Sequence, residues 1–229
     1  MIKVGSHDAY LATPPANATK RQDAGILYVP DVIGIYENSQ LLADEFAAAG
    51  YTTLIIDLFN GDAIPLNRFA ATDLMDWIQN GYQGAGGHTT KEIDPIITEA
   101  VAYMRDTLGL KHIGAAGYCF GGKYVVRGYR SGINVGFIAH PSFVEDDELA
   151  FVTGPLSIAA AETDTIFPKE NRSKTEDILK SSGAVYQISV YSHVEHGFAV
   201  RRSLEKKVQR VARDQAAKQA IDFFNAWLG

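Results

Sequence analysis

The chain has 229 residues, a formal net charge of −6 and 46% hydrophobic residues. This length and composition fit a single globular domain over residues 1–229. The acidic balance argues against a nucleic-acid-binding protein, and no apolar run reaches membrane-spanning length, so we expect neither nucleic acid nor membrane as a partner.

The chain contains one cysteine, which excludes an internal disulfide and suits a reducing compartment. The first residues lack the apolar segment of a secretory signal peptide. We therefore expect a cytoplasmic protein. A monomer and a weak homodimer both remain compatible with the sequence.

Short apolar β-type runs alternate with helical patterns along the chain. The predicted strands are an edge strand within 1–23 and runs at 25–30, 52–56, 112–116, 134–139, 156–161 and 185–191. The predicted helices cover 38–49, 69–78, 93–108, a segment starting at 120, 168–181 and 204–228. This alternation predicts an α/β fold with a mostly parallel central sheet flanked by helices and right-handed crossovers. The glycine-rich segment 81–88 is the most flexible in composition and is a candidate lid.

The segment around the cysteine has the pattern of a nucleophile elbow. Gly117-Tyr118-Cys119-Phe120-Gly121 follows an apolar strand and precedes a helix, as a Gly-x-Ser-x-Gly motif does, with sulfur replacing the hydroxyl. The glycines allow strand and helix to pass close together. The helix start directs backbone amides and a positive dipole end at the thiol, which favours the thiolate. A lone cysteine is more often an inert core residue, but its position between these glycines favours the functional interpretation.

In a parallel sheet, functional residues gather where strands end at their carboxyl edge. Cys119, Asp164 and His196 each follow a predicted strand, in the order nucleophile, acid, histidine of the α/β-hydrolases. Sulfur would attack a carbonyl carbon, imidazole would move the proton, and carboxylate would fix the imidazole tautomer.

Spacing alone leaves rivals to two of these residues. His140 and His193 also lie at or near strand ends and compete with His196, while Glu162 competes with Asp164. The remaining candidates fit a solvated acidic turn or a surface or structural role: Asp146, Asp147, His7, His88 and His112. No HExxH or CxxC spacing occurs, so we expect neither a metal site nor a cofactor.

An oxyanion hole should follow from the same geometry. One donor would be the amide after the nucleophile, at Phe120. The second would come from the loop after the strand that ends at Val29, at Val32 or Ile33.

Several segments together resemble the dienelactone hydrolase family, and its fungal branch in particular. They are Gly117-Tyr118-Cys119-Phe120-Gly121-Gly122, Asp164 ahead of Pro168, His196-Gly197-Phe198, Tyr28 to Ile35, Asp57-Leu58-Phe59 and Ala139 to Phe143. The resemblance implies an α/β-hydrolase fold and a Cys119–His196–Asp164 triad that opens lactones and esters.

The resemblance also implies further site residues. Asp31 stands where bacterial members carry a glutamate that manages the thiol proton. The arginine that follows the family histidine is replaced by Val200, with Arg201 and Arg202 just beyond. Weaker candidates for substrate contact are Arg68, Tyr118 and His140.

These observations predict a hydrolase that opens a small lactone or cleaves an ester through an acyl-enzyme. The alternative is a family member that binds or rearranges a lactone or polyketide intermediate of secondary metabolism without hydrolysis.

Overall fold

The computed structural model describes residues 1–201 and 206–228. Within these residues one eight-stranded sheet has the order β1-β2-β4-β3-β5-β6-β7-β8. The strands are β1 (Ile2–Val4), β2 (His7–Ala12), β3 (Ala24–Val29), β4 (Thr52–Ile56), β5 (His112–Tyr118), β6 (Val135–Ala139), β7 (Leu156–Thr163) and β8 (Tyr186–Glu195). β1 pairs antiparallel with β2 at one edge of the sheet, and β2 pairs antiparallel with β4. The six strands β3 to β8 are parallel to one another. The predicted mostly parallel α/β architecture is therefore confirmed.

Six α-helices cover the two faces of the sheet in the described part of the chain. They are α1 (Glu37–Ala48), α2 (Leu74–Asn80), α3 (Thr90–Asp106), α4 (Phe120–Gly128), α5 (Lys169–Ser182) and α6 (Lys207–Trp227). One apolar cluster joins α2 to α5 with one face of the sheet, and a second joins α1 and α6 with the other face. None of the described helices combines the length and hydropathy that crossing a bilayer requires.

The central strands are buried along their whole length, which explains why they read as continuous apolar runs. All residues of β3, β4 and β6 are buried. Strands covered by helices on both faces have no solvent side, so the alternation of apolar and polar residues disappears. The core therefore lies in two layers, one on each side of the sheet.

Two predicted elements are each divided into two in the structure. The predicted edge strand is a hairpin of β1 and β2, with Gly5 at φ 54° in the turn. The predicted helix over 69–78 is divided into a 3-10 helix, Leu66–Ala71, and α2. The side chain of Asp73 causes the division, because it accepts hydrogen bonds from the amides of Met75 and Asp76, each at 3.1 Å, and so caps a new helix.

β7 and β8 extend further than predicted. β8 continues to Glu195, and a register shift between Ala161 and Thr163 accompanies the extension. Because these strands are longer, the loops that carry Asp164 and His196 are shorter than the loops predicted from the sequence. Short loops on paired strands hold these two side chains in fixed positions.

Candidate active site

Cys119 lies on a sharp turn between β5 and α4. Its φ of 53° is in the left-handed region, which non-glycine residues seldom adopt. A Cβ on Gly121 would lie 2.1 Å from the carbonyl oxygen of Val29, and one on Gly117 would lie 2.6 Å from that of Gly121. Only glycine fits at these two positions, because β3, β5 and α4 converge there.

His196 and Asp164 lie at the carboxyl edge of the sheet, close to this turn. His196 Nδ1 is 2.9 Å from Asp164 Oδ2 and 3.1 Å from Oδ1. The amides of Ile166 and Phe167 donate to Asp164 Oδ1 at 2.8 and 3.0 Å. The carboxylate is therefore held by its own loop while it orients the imidazole, so that Nε2 is the nitrogen free for chemistry.

The hydrogen bonds among these groups outweigh the effect of burial on their pKa values. Burial opposes the charged forms, yet hydrogen bonds with Asp164 and Cys119 raise the pKa of His196 to about 9. Burial also opposes the thiolate, but the hydrogen bond and charge of His196 lower the pKa of Cys119. Both shifts favour a thiolate beside an imidazolium at neutral pH.

The rival residues lie elsewhere. His193 and Glu162 are exposed, and the His193 amide donates to Glu162 Oε2 at 2.7 Å. Asp146 pairs with Lys174 on the surface. His88 is buried and 2.8 Å from Asp62, which gives it a structural partner.

Asp31 is buried beside the thiol and faces a cation. Burial raises the pKa of Asp31 to about 6, against the opposing charge of Arg201, the amide of Ile33 and the charge of His196. Arg201 Nη1 is 3.7 Å from Asp31 Oδ2, and its guanidinium lies 4.7 Å from the centre of the Phe69 ring. Asp31 and Arg201 both contribute to the pKa of Cys119, in opposite directions.

The three predicted oxyanion donors are the backbone amides of Phe120, Val32 and Ile33. The amide of Ile33 already has an acceptor, whereas Phe120 lies at a helix start. The Ile33 amide donates to Asp31 Oδ1 at 3.0 Å and is therefore engaged. Phe120 is the first residue of α4, where helix amides lack intrahelical acceptors. This arrangement favours Val32 over Ile33 as the second donor.

His140 after β6 and Tyr118 on β5, two of the weaker candidates for substrate contact, are both buried. The His140 ring is fully buried and its centre is 5.0 Å from that of His196. Burial, with the charges of His196 and Arg201, lowers the pKa of His140 well below its ordinary value, so this ring is neutral. Tyr118 stacks on Tyr28 at 4.8 Å within the apolar cluster of α1 and α6.

The remaining candidates are Arg68, Arg202 and the glycine-rich segment 81–88. Arg68 is exposed and lines a surface cavity of about 400 Å³ whose other lining residues run from Ala71 to Gln83. Arg202 lies outside the described residues. In the candidate lid, the Tyr82 amide and the His88 ring both contact Asp62 Oδ2, at 2.9 and 2.8 Å.

Ser142 is a site residue that the sequence analysis did not single out. Its Oγ lies 3.4 Å from Cys119 Sγ and 3.4 Å from His196 Nε2. The available signal was its position just after β6, the neighbour of β5 in the sheet. Among residues 1–201 and 206–228, no group of three His, Cys, Asp or Glu side chains is placed to hold a metal ion.

Comparison with known proteins identifies the family of the chain. The model of the dienelactone hydrolase family matches residues 7–228. The chain is 43% identical to Hydrolase pyvD of Aspergillus violaceofuscus, covering 100% of this chain and 90% of that protein. It is 42% identical to Hydrolase tropI of Talaromyces stipitatus, covering 96% and 87%.

A solved structure shares the fold at low sequence identity. The dienelactone hydrolase from Anabaena variabilis superposes with a TM-score of 0.68 and 15% identity, covering 99% of this chain and 95% of that one. The α/β-hydrolase fold predicted from the sequence is thereby confirmed. With a family match over nearly the whole chain, the protein belongs to the dienelactone hydrolase family.

Proposed function

We propose that the protein hydrolyses a small carboxylic ester or lactone through a Cys119–His196–Asp164 triad and an acyl-enzyme. The observation that carries this proposal is the contact of Asp164 with His196 Nδ1, in the same site as Cys119, whose Sγ and the Nε2 of His196 both contact Ser142 Oγ. The pKa shifts of His196 and Cys119 support it. The names of the fungal relatives, both hydrolases, support the reaction class.

The reaction begins with attack of the Cys119 thiolate on the substrate carbonyl carbon. The carbonyl oxygen becomes an oxyanion, which accepts hydrogen bonds from the amides of Phe120 and Val32. The tetrahedral intermediate collapses, and the imidazolium of His196 protonates the leaving alkoxide. In a lactone this alkoxide stays attached to the acyl group.

Water then cleaves the acyl-enzyme. Neutral His196 removes a proton from water, the hydroxide attacks the thioester carbonyl, and Cys119 leaves as a thiolate. Asp164 remains ionised and holds the imidazole through Nδ1. These steps restore the thiolate–imidazolium pair, so the cycle needs no cofactor.

Asp31 and Arg201 fit roles beside the thiol. Asp31 would share in managing the thiol proton, since its pKa of about 6 lies close to neutrality. Arg201 would contact an acidic or polar part of the substrate, with its guanidinium steadied on Phe69. A cytoplasmic location and a monomeric or weakly dimeric state stay predictions, as does the single domain over residues 1–229.

A matched pair of histidine variants tests the triad. His196→Asn should lower kcat/KM for an activated ester such as 4-nitrophenyl acetate by at least about a hundredfold, because the general acid–base is removed. His193→Asn, at the exposed rival position, should leave kcat/KM within about twofold of wild type because a surface substitution away from the reacting atoms has a small effect.

Cys119→Ala provides the second test and should abolish ester hydrolysis while the thermal unfolding transition is retained. Mass spectrometry of wild-type enzyme quenched during turnover should show the acyl group on the Cys119 peptide. Full activity of the alanine variant would exclude the proposal. A binding protein without turnover would instead bind the ester and release no 4-nitrophenol.

A further inference from the structure

Ser142 occupies the space between the two groups that the proposed reaction depends on. Its hydroxyl oxygen is 3.4 Å from both Cys119 Sγ and His196 Nε2, and the residue is 1% exposed. A serine hydroxyl has one proton to donate and two lone pairs that accept. It can therefore donate to a thiolate and accept from an imidazolium at the same time.

The segment that carries Ser142 is fixed on several sides. The Ser142 amide donates to the carbonyl oxygen of Cys119 at 3.0 Å, which extends the pairing of β5 with β6 beyond the strand end. The His140 amide donates to Ala159 O at 2.8 Å, and Lys123 Nζ donates to Phe143 O at 2.7 Å. The position of the hydroxyl is therefore set by backbone contacts and not by its rotamer alone.

The same segment is conformationally strained. His140 has φ 37° and Phe143 has φ 58°, so two non-glycine residues around Ser142 adopt the left-handed region. Such conformations are unfavourable for residues other than glycine and persist where the surrounding contacts over-determine them, often at functional sites. The strain turns the chain sharply after β6 and brings Ser142 back over the end of β5.

We propose that Ser142 is a positioning residue that donates a hydrogen bond to the Cys119 thiolate and accepts one from His196 Nε2, so that sulfur and imidazole are held together as an ion pair. This inference rests on the proposed function. Ser142 makes no bond to substrate. Once Cys119 is acylated, the thioester sulfur is a weak acceptor, and the hydroxyl is released until deacylation regenerates the thiolate.

The test compares Ser142→Ala with wild type by two measurements. The first is the rate of Cys119 alkylation by iodoacetamide between pH 4 and 10, whose midpoint reports the thiol pKa. Removing a donor to the thiolate should move this midpoint upward by about one pH unit. The second is hydrolysis of 4-nitrophenyl acetate, where kcat should fall by about tenfold or more and KM should change little.

Two further variants serve as controls. Ser142→Thr keeps the hydroxyl and should retain the wild-type alkylation midpoint and most of the wild-type kcat. Ser157→Ala removes another fully buried serine hydroxyl, on β7, which accepts a hydrogen bond from Gln219 Nε2 at 2.9 Å. This variant should leave the alkylation midpoint and kcat near wild type. Ser142→Ala keeps the backbone amide of this position, so the hydrogen bond to Cys119 O is retained.

The outcomes separate this inference from the proposed function. An unchanged alkylation midpoint in Ser142→Ala would overturn the inference, whether or not kcat fell, because a purely structural role lowers activity without changing the thiol. Failure of Ser142→Thr to retain the wild-type midpoint would overturn it too. Retained hydrolysis in Cys119→Ala would instead overturn the proposed function itself.

Discussion

At the residue scale, the candidate site combines a nucleophile with two carboxylates in different environments. Asp164 accepts hydrogen bonds from two amides as well as contacting His196, which together outweigh burial and lower its pKa. Asp31 accepts one amide and faces Arg201 at 3.7 Å, and burial raises its pKa to about 6. Asp164, which contacts the imidazole of His196, therefore stays ionised at neutral pH. Asp31, near the thiol, has a pKa of about 6 and changes its protonation close to neutral pH.

The titration of Asp31 predicts a pH dependence of stability. Its pKa rises from an ordinary 3.8 to about 6 on folding, so the folded protein binds more protons than the unfolded chain between these values. The free energy of unfolding should therefore fall as pH rises from 4 to 7, by about 2 kcal/mol from this residue. Asp31→Asn should remove this fall, as measured by urea denaturation at each pH.

The control for this measurement is Asp57→Asn at the end of β4. Asp57 occupies a similar strand-end position and accepts from the amides of Phe59 and Gly61 at 2.9 and 2.7 Å. This variant should keep the fall between pH 4 and 7, because Asp31 is intact. A wild-type slope in Asp31→Asn would show that the carboxylate does not titrate in this range.

A second residue-scale prediction concerns the coupling of His196 to the thiol. Without the imidazole, burial is no longer outweighed, so the pKa of Cys119 should rise in His196→Asn. Alkylation of Cys119 by iodoacetamide at pH 6 to 7 should slow by about tenfold or more, because only the thiolate reacts. Equal alkylation rates in the variant and wild type would contradict the assigned pair.

At the element scale, the turn at Cys119 depends on the close approach of α4 to the sheet. Gly121 lies in the first turn of α4 with Val29 O at 2.1 Å from its would-be Cβ. Helix propensity alone favours alanine over glycine by about 1 kcal/mol. The backbone contact has the opposite effect, because α4 must move away from β3 to admit a methyl group.

Gly121→Ala should therefore lower the free energy of unfolding by about 1–3 kcal/mol and reduce esterase activity more than tenfold, since α4 carries Cys119 and Phe120. Chemical denaturation and 4-nitrophenyl acetate hydrolysis measure the two effects. Gly61→Ala is the control: its φ of 86° strains an alanine, but no atom lies within 4 Å of the Cβ. It should destabilise the protein while leaving activity near wild type.

At the scale of the whole molecule, α6 at the end of the described chain packs against the first helix. Phe224 is fully buried, with its ring centre 5.9 Å from that of Phe46 on α1 and 6.3 Å from that of Tyr51. Arg213, which is buried on α6, also forms an ion pair with the partly exposed Glu45 on α1. These contacts close the second apolar layer beneath the strands that carry the site.

Phe224→Ala should lower the free energy of unfolding by about 3–5 kcal/mol, because it leaves a cavity between α6, α1 and Tyr51. Trp227→Ala, three residues later on the same helix, removes a side chain that is 48% exposed and should cost far less. Urea denaturation of both variants measures the difference. Similar losses would show that α6 is held by its exposed face.

The order of elements and the identity of the central motif were determined by sequence. Continuous apolar runs predicted the bounds of β3 to β6 to within about two residues, and β4 has the bounds predicted. This succeeded because a buried strand leaves a local apolar pattern in the sequence. The glycines around Cys119 predicted a tight turn for the same reason, since close backbone approach demands glycine. The division of 69–78 was missed because its cause is one side-chain cap at Asp73.

Only the tertiary structure decided which residues meet. Distances between loops depend on strand order, and the order β3-β5-β6-β7-β8 brings Asp31, Cys119, Ser142, Asp164 and His196 to one edge. Sequence spacing left His193 and Glu162 as rivals and gave no reason to choose Ser142. A hydroxyl acquires its role through two contacts with distant residues, and burial sets the pKa of Asp31; neither property is encoded in local sequence pattern.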